Sequence, residues 1–359
     1  MKLFECQHCG QLLYFENTRC ERCGHLLGFL ADRSTLSALT ATGENTWRAL
    51  AAPGELFRFC ANSAQDACNW LVAANSGDAF CRACRLNRTI PDLDRGDNRL
   101  LWQRLEAAKH RLVYALLNLG LPLVSKHDDS AKGLAFDFLS GTQANFQEGP
   151  QVMTGHAAGV ITINLAEADD VERERYRREM AESYRTILGH FRHEIGHHYW
   201  ERLVRGGVWH DAFRALFGDE RRDYGAALGA HYTNGPPPDW RQDYVSGYAS
   251  THPWEDFAET WAHYLHIVDT LDTAAAFGLT IHSAAGCNPP LQMKIAFDPY
   301  RHADFDALVE AWLPLTSAVN SLNHSMGQPD LYPFVLAPRV MGKLRFVHGL
   351  IYQGGGRSA

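Results

Sequence analysis

The chain has 359 residues, 46% of them hydrophobic, which is enough to bury a core and to form two or three domains. Its 34 Lys and Arg against 41 Asp and Glu give a formal net charge of −7, which disfavours a surface that tracks nucleic-acid phosphates. No apolar run has membrane-spanning length, and no apolar signal core precedes the first cysteine, so we expect a cytoplasmic protein without a membrane anchor.

Two Cys-x2-Cys pairs open the chain and are separated by ten residues: Cys6, Cys9, Cys20 and Cys23. Each pair puts two thiolates on one tight turn, and the glycine that follows it permits the positive φ that the turn needs. The apolar residues 12–15 predict a short β-strand between the pairs. This spacing is typical of a zinc ribbon and predicts a structural zinc site. We interpret His8 and His25, which flank the pairs, as bystanders.

A second set of four cysteines follows with looser spacing in its first half: Cys60, Cys68, Cys81 and Cys84. We interpret it as a second structural zinc site. The alternative is a disulfide framework in a secreted protein, but without a signal segment a reducing compartment and metal-bound thiolates are favoured. Cys287, the ninth cysteine, is expected to be a buried or idle thiol.

Zinc ribbons often contact nucleic acid, so their charge decides between two classes of partner. Residues 1–98 carry 10 Lys and Arg against 11 Asp and Glu, and eight zinc-bound thiolates would make the region more negative. Arg82, Arg85 and Arg88 form the only basic group. We therefore expect ribbons that are structural or that contact a protein partner, with nucleic acid disfavoured.

The cysteine-rich part ends in a polar, glycine-containing linker near residue 98, which predicts a division into residues 1–98 and 99–359. An amphipathic helix is predicted at 101–119, and β-strands are predicted at 133–139 and 159–165. Further helices are predicted at 304–323 and 338–349. The mixture predicts an α+β fold for the larger part of the chain.

The segment around His193 carries the chemistry. His193, Glu194 and His197 form an H-E-x-x-H, and residues four apart lie on one face of a helix. The two imidazoles can therefore share one Zn²⁺, while Glu194 can take a proton from a bound water. A charged, helix-favouring stretch at 171–188 leads into apolar residues at helical spacing, which disfavours the alternative of a surface helix with scattered histidines. The small Gly196 would suit close packing behind a metal.

A catalytic zinc usually has three protein ligands and a water, so one ligand must come from elsewhere. Leu203 stands where an extended motif would have a third histidine. The best candidates lie on a second predicted helix, from Pro253 to about residue 271, with Ser250 or Thr251 as its cap.

Glu255 and Glu259 are four residues apart and share a face of that helix, so one can bind zinc while the other fixes a ligating histidine. Glu255 is the favoured ligand, Glu259 is the favoured hydrogen-bond acceptor, and Asp256 and His252 remain alternatives.

The E-x-F-A-E segment that begins at Glu255, with a tyrosine seven residues before it, resembles the gluzincin site of anthrax lethal factor. That resemblance implies Glu255 as the zinc ligand and Tyr248 as a phenol that assists the transition state. Over nearly its full length, through residues 81–90, 188–200 and 252–266, the chain resembles a bacterial family of zinc-binding metallopeptidases with an N-terminal zinc ribbon. The family implies a zincin-like fold, in which the strand near residue 160 either borders the cleft and pairs with an extended substrate or is an ordinary core strand.

Together these features predict a zinc metallopeptidase that acts on a peptide or protein substrate. One catalytic and two structural Zn²⁺ are expected, with Glu194 as general base. Three alternatives stay open: hydrolysis of a non-peptide amide, metal binding without turnover, and a ribbon-based regulator with an inactive zincin domain.

Overall fold

The computed structural model describes residues 1–140, 155–179, 185–284 and 291–354, so Cys287 lies outside the described residues. The chain divides into two compact units, which are treated separately below. The first holds residues 1–118 and 122–172, and the second holds 119–121 and 173–359. The predicted domain boundary after residue 98 stays a prediction.

The first unit begins with short antiparallel strands and turns that carry the cysteines. β1 (Phe4–Glu5) pairs with β2 (Leu12–Leu13), as the apolar residues between the first two cysteine pairs predict. A five-stranded antiparallel sheet follows in the order β3 (Leu27–Leu30), β4 (Thr35–Gly43), β5 (Thr46–Ala49), β6 (Leu56–Phe59) and β7 (Leu71–Ala73). The Phe29 amide donates to the Asn69 carbonyl at 2.9 Å and so brings the two ends of this sheet together.

The same unit contains a four-stranded mixed sheet and a long helix. The strand order is β10 (Gly155–Ala157), β11 (Val160–Asn164), β9 (Ala135–Leu139) and β8 (Asn87–Thr89). The helix α1 (Asn98–Asn118) buries its apolar face. β11 is hydrogen-bonded to β9 along its whole length, and within the described residues Val160, Ile161 and Thr162 also pair with β10 on the other side. Of the two alternatives, the pairing therefore favours the ordinary core strand over a strand that pairs with an extended substrate.

The second unit is mainly helical. Helix α2 (Asp170–Glu179) spans the boundary at residue 172, and the helices that follow are α3 (Ile187–Tyr199), α4 (His210–Phe217), α5 (Tyr224–Asn234), α6 (Pro253–Ala276), α7 (Phe305–Ser325) and α8 (Pro338–Gly354). A two-stranded sheet pairs β12 (Thr280–His282) with β13 (Gln292–Lys294). The content of helices and strands confirms the predicted α+β class. Among the described helices, none combines the length and apolarity needed to cross a membrane.

Two helix starts differ in detail from the sequence prediction. Thr186 caps α3 by accepting from the Gly189 amide at 2.9 Å, so this helix begins anew rather than continuing the charged stretch before it. The cap of α6 is His252, whose Nδ1 accepts from the Trp254 amide at 3.2 Å, and not Ser250 or Thr251. Ser250 instead ends a short 3₁₀ turn that begins at Tyr248, and Thr251 is the residue that caps this turn.

Helices α3 and α6 form the packing unit on which the site depends. Tyr199 stacks on Trp261 with ring centroids 5.0 Å apart and an interplanar angle of 18°. One turn away, a Cβ on Gly196 would lie only 2.9 Å from Ala258 Cα. The absence of a side chain at Gly196 therefore lets the H-E-x-x-H helix approach the backbone of α6, as its small size suggested.

Candidate metal centre

The first four cysteines converge as ligands of one ion would. Cys6 Sγ lies 3.7 Å from Cys23 Sγ, and Cys9 Sγ lies 3.6 Å from Cys20 Sγ. A disulfide would need about 2.05 Å. Four thiolates about 2.3 Å from a tetrahedral zinc are about 3.8 Å apart, so the spacing fits a zinc ion. The glycine after each pair has the positive φ that the turn requires, with Gly10 at 71° and Gly24 at 76°.

The second set of cysteines fits the same ion. Their ligand atoms all lie within 4.8 Å of one another, and Cys68 Sγ is 3.7 Å from Cys81 Sγ. Backbone amides donate to three of the sulfurs: Trp70 to Cys68 at 3.3 Å, Cys81 to Cys60 at 3.4 Å, and Cys84 to Cys81 at 3.4 Å. Amide donors stabilise thiolates, so this set too is built for a cation despite its looser spacing.

Helix α1 adds a buried polar group beside Cys84 that the sequence reasoning missed. His110 Nε2 is 3.6 Å and Glu106 Oε2 is 3.7 Å from Cys84 Sγ. Lys109 Nζ, fully buried, donates to both Glu106 oxygens at 2.8 and 2.9 Å. Glu106, Lys109 and His110 occupy positions i, i+3 and i+4 of a largely apolar helix and so share one face. This polar stripe on an apolar helix is the sequence feature that could have revealed the buried group.

In the second unit, α3 and α6 bring three predicted ligands to one point. His193 Nε2 lies 3.0 Å and His197 Nε2 lies 3.6 Å from Glu255 Oε2. Ligand atoms about 2.05 Å from a tetrahedral zinc are about 3.3 Å apart, so both separations fit. Glu255 Oε2 is buried and has no hydrogen-bond partner among the described residues. A buried carboxylate oxygen between two imidazole nitrogens fits a metal ion.

Glu259 lies where the sequence predicts it, behind His193. Its Oε1 accepts from His193 Nδ1 at 2.7 Å, and its Oε2 accepts from the Ser246 hydroxyl at 2.6 Å. With its proton on Nδ1, His193 directs the lone pair of Nε2 at the metal position. Ser246, which steadies the carboxylate, was not predicted, because nothing near it in the sequence marks it.

The electrostatics of the three ligands favour a cation between them. Burial disfavours a charged His193, yet the carboxylates of Glu255 and Glu259 raise its pKa well above the ordinary value. Burial also opposes ionisation of Glu255, but His197 and His193 hold the pKa of this carboxyl well below its usual range. Positive charge is therefore stabilised where these side chains meet, and a divalent ion would supply it.

Glu194 and Tyr248, the predicted catalytic side chains, belong to the same neighbourhood. Glu194 is 6% exposed, and its Oε2 is buried without a hydrogen-bond partner in the part of the chain that the structure describes. The Tyr248 ring lies 5.9 Å from the His193 ring, measured between centroids. Burial, Glu255 and Glu194 raise the pKa of Tyr248 well above its usual value. The Tyr248 phenol is therefore a hydrogen-bond donor at neutral pH, and Oε2 of Glu194 is available as an acceptor.

The two alternative ligands are engaged elsewhere. Asp256 is fully buried and accepts from Lys343 Nζ at 2.6 Å, and Lys343 also donates to the Asp243 carbonyl at 2.6 Å. His252 uses one ring nitrogen to cap α6, and the other donates to the Arg222 carbonyl at 3.2 Å. The geometry therefore favours Glu255 over both.

Tyr224 is a neighbour of the site that the sequence reasoning missed. It is the first residue of α5, and its hydroxyl donates to Glu255 Oε1 at 2.8 Å. Tyr224 precedes Glu255 by 31 residues in an aromatic-rich segment, so only the tertiary fold reveals the contact.

Comparisons with known proteins identify the family of each part of the chain. A family model described as "putative zinc-binding metallo-peptidase" matches residues 98–350, and one for a zinc-ribbon domain matches residues 3–95. Uncharacterized proteins of Mycobacterium bovis and of Mycobacterium tuberculosis are 43% identical over 352 residues, covering 98% of this chain and 95% of each relative. No solved structure matches, so the likeness to the anthrax lethal factor site stays a prediction from the motif. The chain therefore belongs to the family described as zinc-binding metallo-peptidases and carries an N-terminal zinc-ribbon domain.

Proposed function

We propose that this protein hydrolyses peptide bonds with one zinc ion held by His193, His197 and Glu255. The observation that carries the proposal is the convergence of two imidazole nitrogens on one buried carboxylate oxygen, with separations of 3.0 and 3.6 Å. Beside them Glu194 keeps a buried oxygen without a hydrogen-bond partner among the described residues. The three ligands leave a position open, which distinguishes a catalytic from a structural zinc site.

Each side chain then has a separate task. Bound zinc would lower the pKa of a water toward about 7 and polarise the substrate carbonyl. Glu194 takes the proton of the attacking water and returns it to the leaving amine. Tyr248 donates its hydroxyl hydrogen bond to the oxygen that becomes negative in the transition state. Glu259 holds His193 in the tautomer that presents Nε2.

We also propose two structural zinc ions, one in each set of cysteines, which makes three zinc ions per chain. The sulfur separations of 3.6 to 3.7 Å support this number. These sites are closed by four protein ligands and should keep their metal when a chelator removes the catalytic ion. The acidic balance of residues 1–98 supports a structural or protein-contact role for the ribbon rather than nucleic-acid binding.

The decisive experiment compares wild type with Glu194→Gln on a library of proteome-derived peptides. Glu194 is not a ligand in this scheme, so the variant should keep its zinc and its fold and lose nearly all cleavage. Zinc content and circular dichroism of both proteins are the controls. Turnover that is unchanged in Glu194→Gln would remove the mechanism, and absence of cleavage by zinc-loaded wild type would favour a binding or regulatory role.

Tyr248→Phe tests the remaining catalytic assignment with the same peptides. Loss of one oxyanion donor lowers kcat on the order of 10²–10³-fold, so this variant should be impaired but less than Glu194→Gln. Its zinc content should equal that of wild type, because the phenol is not a ligand. A variant as active as wild type would show that Tyr248 has no part in the chemistry.

A further inference from the structure

Glu255 presents two oxygens with different partners. Oε2 faces the two imidazole nitrogens, whereas Oε1 accepts the Tyr224 hydroxyl at 2.8 Å. The carboxylate is 2% exposed, so water contributes little to the choice between its oxygens. The hydroxyl of Tyr224 therefore occupies one oxygen of Glu255, and the other oxygen is the one that faces the imidazoles.

The position of Tyr224 is fixed by the start of α6. Its ring packs edge-on against His252, with centroids 5.3 Å apart, and lies 6.2 Å from the Trp254 ring. Asp223 caps α5 by accepting from the Ala226 amide at 2.8 Å, which sets the direction of the first turn. No residue of α5 is fully buried, so these contacts and the hydroxyl of Tyr224 anchor the beginning of that helix at the metal centre.

A carboxylate can bind zinc through one oxygen or through both. Binding through both would fill a fifth position beside the water, and a catalytic zinc uses that position when its coordination expands in the transition state. A hydrogen bond to a charged acceptor is about twice as strong as one between neutral groups, so the Tyr224 hydroxyl competes effectively for Oε1.

We propose that Tyr224 is a positioning residue that restricts Glu255 to binding zinc through Oε2 alone and thereby keeps the metal and its water four-coordinate, with the fifth position open to the substrate. This inference rests on Glu255 being the ligand of the proposed peptidase site. It concerns the coordination number of the metal, which can be measured without any substrate.

The test replaces Tyr224 with phenylalanine in the full-length protein, which removes the hydroxyl and keeps the ring that packs on His252. A chelator first removes the ion held by His193, His197 and Glu255, and Co²⁺ is then added while the cysteine sites keep their zinc. Wild type should show the intense visible absorption of four-coordinate cobalt. Tyr224→Phe should show the weaker absorption of a five-coordinate ion, because both oxygens of Glu255 then bind.

Tyr232→Phe is the matched control, since it makes the same chemical change on the same helix at a residue that is 55% exposed. Its cobalt spectrum should equal that of wild type. In a peptide assay, Tyr224→Phe should lower kcat on the order of 10–100-fold with KM unchanged, as expected when support for a ligand is lost. A residue that merely stabilised the fold would lower thermal stability without altering the spectrum.

An unchanged cobalt spectrum in a folded Tyr224→Phe protein would overturn the proposal. Failure of the Tyr224 proposal can be distinguished from failure of the proposed peptidase function. If the spectrum changes but wild type cleaves no peptide, the positioning role stands and the peptidase assignment fails. If Glu255→Ala leaves the wild-type spectrum unchanged, Glu255 is not a ligand, and both proposals fail.

Discussion

Replacing Gly196 with alanine tests how closely α3 must approach α6 for the metal centre to form. A Cβ at this position would lie 2.9 Å from Ala258 Cα and 3.2 Å from Trp261 Cβ. Carbon atoms pack favourably at about 3.5–4.0 Å, so the helices must separate by about 0.5 Å or more. Such overpacking costs about 1–3 kcal/mol, and the better helix propensity of alanine returns about 1 kcal/mol.

The larger effect is expected at the metal. Gly196 directly precedes His197, whereas Glu255 comes from α6, so separation of the helices lengthens the distances between ligand atoms. These are 3.0 and 3.6 Å, already on either side of the roughly 3.3 Å that a tetrahedral zinc requires. A misplacement of up to about 1 Å can reduce activity on the order of 10²-fold. We therefore expect weaker zinc binding at this site and unchanged zinc in the cysteine sites.

Competition with a chromophoric chelator measures the zinc affinity, and thermal unfolding with and without the catalytic zinc measures the stability. Gly229→Ala is the matched control, because it lies within α5 and its added Cβ would meet no atom within 4 Å. That change should stabilise the protein by up to about 1 kcal/mol and leave zinc binding unaltered. The reasoning is refuted if Gly196→Ala behaves as this control does, with equal or higher stability and the affinity of wild type.

Three further predictions concern α6. Glu255→Ala should empty the catalytic zinc site, whereas Asp256→Asn should keep the zinc, because Asp256 pairs with Lys343. Measurement of the zinc content of both variants distinguishes the two residues. Loss of zinc only in the Asp256 variant would show that the ligand is wrongly assigned. Glu259→Ala should weaken zinc binding or activity about 10–100-fold while zinc still binds, and full zinc affinity together with full activity would exclude its role behind the ligand. Burial lowers the pKa of His263 from 6.5 to about 4. The unfolded chain therefore binds a proton between these values that the folded chain does not, and stability should fall by up to about 3 kcal/mol as pH falls from 6.5 to 4. Urea unfolding at pH 7 and pH 5 should show a smaller loss in His263→Phe than in wild type, and equal losses would contradict this cause.

The parts of the site that follow from local spacing could be predicted from the sequence. Two histidines four residues apart on a helix must share a face, and Glu255 and Glu259 are related in the same way. The structure accordingly brings His193, His197 and Glu255 together and puts Glu259 behind His193. The cysteine pairs are equally local, since each forms one turn that ends in a glycine.

The parts that depend on tertiary contacts could not be predicted. Tyr224 and Ser246 contact the site only because their segments fold back onto α6, and no spacing rule relates either residue to Glu255 or Glu259. The strand β11 has the β-branched composition of a strand beside a cleft, but composition does not reveal that both of its edges are paired. His252 caps α6 in place of the better capping residues before it, because Ser250 ends a 3₁₀ turn and Thr251 caps that turn.

Anomalous X-ray scattering at the zinc absorption edge, from crystals of protein purified without added metal, tests the central claim most directly. The account predicts three zinc positions. One should be bound by His193 Nε2, His197 Nε2 and Glu255 Oε2 at about 2.0–2.2 Å, with a water completing its coordination, and the others should lie within the two sets of cysteines. A peak within both cysteine sets but none between the histidines and Glu255, or a zinc bound there by Asp256 or His252, would contradict it.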